Sequence, residues 1–409
     1  MEWQIDGNRK QRPNRAPFWI GYYDNAKKYM QLKSLEYTEL EGTPIEWTLR
    51  GFTPGDANLL VGKNASGKSS VLNVIHNMAL MIAGQRPPFF NAHISSLIFE
   101  DDGLETEYSS RTHGGKVIAE RFMIDGEIKL DRGHGGKGKI YAEKEGKAIE
   151  FQTPENQLAV VARRDTLQHP FFEPLHQWAA SLYYYQFGTS LGKESLFLFS
   201  DDNLQLNPKD PSQVVGIFHK GDKEFGERFR NAVLADFEPV GYPVDKIGLV
   251  VPRYYVTIQM PMADKLVGIY VKETDLPGIT EQNEMSQGMF RALSVIIQLN
   301  YAILADTPSC ILIDDIGEGL DFERSCNLID VLMRKVEGSP VQLMMTTNDR
   351  FVMNHVPLEA WSVVDRDRNR VTIRNYANAR EIFDRFKFTG LNNFDFLALD
   401  YLHTSTTDE

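Results

Sequence analysis

The stretch "GKNASGKS", residues 62–69, decides how the rest of the chain is read. It fits the phosphate-binding loop pattern G-x-x-x-x-G-K-[ST] at every defined position. The run "ANLLVG" (57–62) ahead of it is short and apolar, as a buried strand is. Behind it, apolar residues at 71, 74, 75, 78 and 82 have helical spacing. Glycines let the backbone approach phosphate oxygens, and the loop N–H groups and helix N-terminus then face the anion. The expected nucleotide-binding set is Gly62, Lys63, Asn64, Ala65, Ser66, Gly67, Lys68, Ser69 and Ser70. Within it, Lys68 is expected on the β- and γ-phosphates and Ser69 on Mg²⁺.

A second stretch, "ILIDDIGEGLD" (311–321), runs from an apolar strand into two adjacent carboxylates. Acids at the end of a buried strand are costly unless something needs them. With a phosphate loop upstream, Asp314 is expected to hold Mg²⁺ through water; a solvated strand end is the plain alternative.

Together these residues resemble the ABC-type P-loop ATPases, and within them the SMC/OLD-like group that includes ATPase subunits of bacterial anti-phage defence and DNA-repair systems. The resemblance puts Asp314 at the metal aspartate and Asp315 at the catalytic glutamate, one methylene short. Asp321 falls on the D-loop aspartate. "MSQGMFRAL" (285–293) is similar to the signature: Ser286, Gly288 and Arg291 fit the looser S-x-G-x-x-R form, while Gln287 and Met289 depart from the transporter form. An ordinary helix N-cap by Ser286 is the structural alternative. Asn348 stands where the family keeps its switch histidine, and Gln186 resembles the Q-loop glutamine.

What the resemblance implies is an α/β fold: an ABC-type ATPase head with an antiparallel β-lobe and an inserted mixed α/β lobe. The expected division is an arm at 1–28, head at 29–189, inserted lobe at 190–280, head at 281–385 and tail at 386–409. ATP and Mg²⁺ are the implied cofactors. A homodimer or higher homo-oligomer would sandwich ATP between one subunit's P-loop and the other's Ser286, Gln287, Gly288 and Arg291. The implied role is a slow ATPase that senses or regulates and controls a separate effector protein, a nuclease or toxin. A transporter motor and an SMC-like DNA-binding ATPase are the alternatives, and DNA is left open as a partner.

The remaining sequence bounds these expectations. The chain has 409 residues, 42% hydrophobic, enough for a substantial core. A net charge of -12 disfavours nucleic-acid binding over the whole surface but leaves local basic patches open. One such patch is the basic–aromatic arm at 9–23, readable as a base-stacking element, a partner-docking segment or an arm without a ligand. Another is "RGHGGKGK" (132–139), read as a glycine-rich turn. Residues 94–152 alternate in short runs between Asp-Gly, Gly-Gly and Glu-Gly pairs, the pattern of an antiparallel meander. Phe225, Phe229 and Val233 mark one short helix, and prolines at 208, 211, 239, 243, 252 and 261 exclude a long coiled coil there. Two cysteines without metal spacing, a polar N-terminus and no apolar run of bilayer length predict a cytoplasmic protein with no membrane partner.

Overall fold

The computed structural model describes residues 30–198, 210–254, 266–306 and 309–404. The basic–aromatic arm at 9–23 lies outside the described residues. Strands are numbered here in chain order. The mixed α/β structure is organised on a 14-stranded sheet.

One part of that sheet is parallel, in the order β10 (Leu182–Gln186), β15 (Ser309–Asp314), β16 (Val341–Thr346), β3 (Ala57–Val61) and β17 (Trp361–Asp367). These strands are apolar on both faces because both faces are covered. In β3, Leu59 and Val61 enter one core cluster and Leu60 the other. In β15, Ile311 and Ile313 join the first cluster, Cys310 and Leu312 the second. The helix Lys68–Ile82 covers the second side with Val71, Leu72, Ile75 and Met78. The helices Gln287–Leu304 and Phe322–Val336 supply Leu293, Ile296, Leu328 and Leu332 to the first. Parallel strands bring their C-terminal ends to one edge, where open α/β sheets bind ligands.

Beyond β17 the sheet continues through β18 (Arg370–Asn375), β2 (Trp47–Phe52) and β1 (Gln31–Glu39). It then runs antiparallel through β4 (His93–Asp101), β5 (Leu104–His113), β6 (Lys116–Ile124), β7 (Glu127–Arg132), β8 (Lys137–Ala142) and β9 (Lys147–Gln152). The stretch 132–139 spans the β7–β8 connection at 133–136, and Arg132 at its start is fully buried in an ion pair with Glu120 at 3.1 Å. Glu120 also accepts the backbone N–H groups of Ala159 (2.6 Å) and Val160 (3.1 Å). Arg132 donates in turn to the carbonyls of Gln157 (2.7 Å) and Pro154 (2.9 Å). This pair therefore ties the meander to the segment that follows it.

A smaller sheet holds β11 (Phe197–Leu198), β12 (Val244–Val250), β13 (Leu266–Glu273) and β14 (Thr280–Glu281). Its Ile247 and Ile269 belong to the same core cluster as Leu293 and Leu343. Phe386 and Phe396, in the stretch expected as a tail, are buried in that cluster too. The single helix expected around 225–233 is instead two, Val214–Phe225 and Glu227–Phe237. Gly226 separates them at φ 57°, ψ −132°, a conformation that ends a helix and suits glycine. Among the described residues, no helix is long and apolar enough to cross a membrane.

Candidate functional site

Residues 62–67 turn sharply from β3 into the helix Lys68–Ile82. Ala65 and Gly67 take positive φ, 61° and 105°. Such turns point successive backbone N–H groups into one concavity. Gly62 is required by close approach: a Cβ there would sit 2.5 Å from the Val364 carbonyl and 2.7 Å from Ser66 Oγ. Ser66 Oγ is buried with no hydrogen-bond partner. A buried hydroxyl without a protein partner suits a phosphate oxygen. Lys68 Nζ donates across the loop to the carbonyls of Gly62 (3.0 Å) and Lys63 (3.3 Å). Burial pulls its ammonium below the usual lysine range, and the charges of Asp315 and Asp314 oppose that shift. Lys63, Asn64, Ala65 and Ser70 are exposed. Lys63 Nζ lies 3.4 Å from Asp400 Oδ2 of the C-terminal stretch.

β15 delivers Asp314 to this loop. Ser69 Oγ donates to Asp314 Oδ1 at 3.0 Å, and Thr346 Oγ1, from the end of β16, donates to the same oxygen at 2.6 Å. Tyr184 OH donates to Oδ2 at 3.3 Å. A serine hydroxyl and a carboxylate at this separation are hard oxygen donors that suit Mg²⁺. Asp315 follows in the left-handed region, φ 55°. Its N–H donates to Thr346 Oγ1 at 2.8 Å, and its Oδ1 accepts Asn348 Nδ2 at 2.9 Å. Burial raises the Asp315 carboxyl, helped by the charges of Asp314 and Glu318, while Lys68 and Asn348 work against the rise. Asn348 thus orients the carboxylate beside it. Gln186 ends β10 in register with Asp314.

The structure therefore brings together Lys68, Ser69, Asp314, Asp315 and Asn348, with Gln186 in register beside Asp314 on the neighbouring strand. Ser286 and Asp321 are placed differently. Ser286 caps the helix Gln287–Leu304, accepting Met289 N–H at 3.1 Å. Asp321 caps the helix Phe322–Val336, accepting Arg324 N–H at 2.9 Å, and Arg324 also pairs with its other oxygen at 2.7 Å. These bonds hold the Asp321 carboxyl below its usual range, the backbone N–H first. Among the described residues no hydrogen bond joins Ser286, Gln287 or Asp321 to the phosphate loop. Gly288 packs on the loop after Asp315: a Cβ there would meet the Gly319 carbonyl at 2.6 Å and Leu320 at 2.8 Å. Arg291, expected on a partner's nucleotide, braces its own chain within this single subunit. It donates to the carbonyls of Gly188 (2.6 Å), Thr189 (2.7 Å) and Glu318 (2.8 Å). One helical turn in from Gly288, its side chain points back over the loops beside the site.

Two residues of this constellation escape sequence reading. Thr346 ends a strand that is otherwise apolar save for Gln342, a faint signal. Tyr184 is the middle of three tyrosines, and nothing in "YYY" says which one turns to the carboxylate.

The chain matches no protein-family model and no curated protein. Among solved structures it is similar to the Smc head bound to the C-winged helix domain of ScpA, at 12% identity and TM-score 0.46, over 85% of this chain and 97% of that one. It is similar also to the Pyrococcus furiosus Smc head domain with an extended coiled coil bound to the C-terminal domain of ScpA, at 11% identity and TM-score 0.47, over 88% and 100%. The SMC head domain from Thermotoga maritima gives 12% identity and TM-score 0.41 over 84% and 98%. Likenesses this distant carry no functional argument.

Proposed function

We propose that this protein binds Mg-ATP at residues 62–70 and hydrolyses it slowly, as an ABC-type ATPase that regulates a separate effector protein in an anti-phage defence or DNA-repair complex. The observation that carries the nucleotide reading is the 3.0 Å contact between Ser69 and Asp314, which joins the phosphate loop to the strand-end carboxylate. Bound Mg²⁺ supplies neutralisation of phosphate charge. The chain's own groups do the rest. The loop N–H groups and Lys68 hold the phosphates. Asp315, oriented by Asn348, positions a water and takes up its proton. Its carboxylate is one methylene shorter than glutamate, so it stands roughly 1 Å back, and an offset of that size costs on the order of a hundredfold in rate. The result is a switch with a long-lived ATP state. Control of a nuclease or toxin rests on the sequence resemblance.

In this reading the signature of one subunit completes the site of another. Support comes from the capped helix start at Ser286, whose first-turn N–H groups suit an anion. Mixing the inactive variants Lys68→Ala and Ser286→Arg tests this. One intact composite site per mixed dimer should restore part of the phosphate release. Heterodimers that form and restore none would contradict a shared site.

A further inference from the structure

We propose that Tyr184 is a positioning residue for the divalent cation that accompanies the nucleotide: its hydroxyl fixes the second oxygen of Asp314 and so sets the carboxylate's angle at the metal. The inference rests on the nucleotide-binding reading above and deepens it.

Asp314 is 8% exposed, so its charge must be satisfied by the protein. Ser69 and Thr346 both donate to Oδ1, at 3.0 and 2.6 Å. Hydroxyls on one oxygen leave the carboxylate's terminal torsion soft, because that torsion is broad and nearly two-fold. The Tyr184 hydroxyl on Oδ2, at 3.3 Å, closes that freedom. The tyrosine is itself anchored. Its ring lies against His76, centroids 5.1 Å apart, on the same helix that carries Ser69. Ser69 and His76 are seven residues apart, two turns on one helix face. Any shift of that helix therefore moves Ser69 and the Tyr184 ring together.

A phenol has one proton to donate, and here it goes to Asp314. Ser69, Thr346 and Tyr184 therefore all donate to the one carboxylate. Partners of this kind behind a metal ligand typically contribute tenfold to a hundredfold in metal affinity.

The test uses the full chain and a non-hydrolysable ATP analogue, measuring its Kd with excess Mg²⁺ and with EDTA. In the wild type, Mg²⁺ tightens binding. In Tyr184→Phe, which keeps the ring on His76, the EDTA value should stay as in the wild type while the Mg²⁺ enhancement falls about tenfold. An unchanged enhancement overturns the proposal and leaves the nucleotide reading standing. Equal weakening in both conditions, or a variant that does not fold, also overturns it, since the hydroxyl would then serve the fold. A wild type that binds the analogue in neither condition removes the nucleotide reading itself.

Discussion

Asp315 sits at φ 55°, in the left-handed region that aspartate and asparagine tolerate better than most side chains. Its backbone N–H is held there by Thr346. This gives a physical reason for aspartate where the resembling family has glutamate: the backbone turn and the short acid go together. Asp315→Asn should keep the turn and the stability, yet lower phosphate release by about a hundredfold or more, the usual size of a general base. Asp315→Glu, which chain length alone suggests would speed the reaction, should cost about 1 kcal/mol in denaturant unfolding from backbone strain. A glutamate variant as stable as the wild type would show that the left-handed turn places no constraint on the side chain.

The helix Gln287–Leu304 meets the loop 316–320 at Gly288 and Arg291. Ser286 is the N-cap of this helix. Gly288→Ala would drive a methyl into the Gly319 carbonyl. Overpacking against backbone costs about 1–3 kcal/mol, and chemical denaturation should read a loss in that range. Gln287→Ala, exposed one residue earlier, should stay within about 0.5 kcal/mol. A neutral Gly288→Ala would show that the loop moves freely away from the helix.

Much at this scale was legible in the sequence. β3, β15 and β16 are nearly unbroken apolar runs, and the glycine–lysine pattern announces the turn between β3 and its helix. β5 was not legible, because its inward positions Thr106, Tyr108, Ser110 and Thr112 are mostly polar and hide the alternation. Ser110 is satisfied across strands by Ser95 at 2.9 Å, a contact that no local pattern reveals. The break at Gly226 was hidden because Phe225, Phe229 and Val233 keep helical spacing across it. Lys68, Ser69 and Asp314 could be picked from motif spacing. The Tyr184 and Asn348 contacts could not, because they depend on how β10, β15 and β16 align side by side.

Across the whole molecule, the site lies in the parallel part of the sheet, while the meander is fastened by a buried ion pair. Burial pushes the Glu120 carboxyl up, and the N–H groups of Ala159 and Val160 together with Arg132 oppose it. Removing one partner leaves a buried charge. Glu120→Ala should therefore cost about 3–5 kcal/mol in global unfolding. A loss under 1 kcal/mol would mean that Arg132 finds water or another acceptor once the carboxylate is gone.

The central claim is that residues 62–70 and Asp314 form one Mg-ATP site. Calorimetric titration of Mg-ATP into the wild type and into Lys68→Ala tests it most directly, with circular dichroism to verify that both are folded. The account predicts saturable binding by the wild type and none by the folded variant. Equal ATP affinity in the two proteins would contradict it.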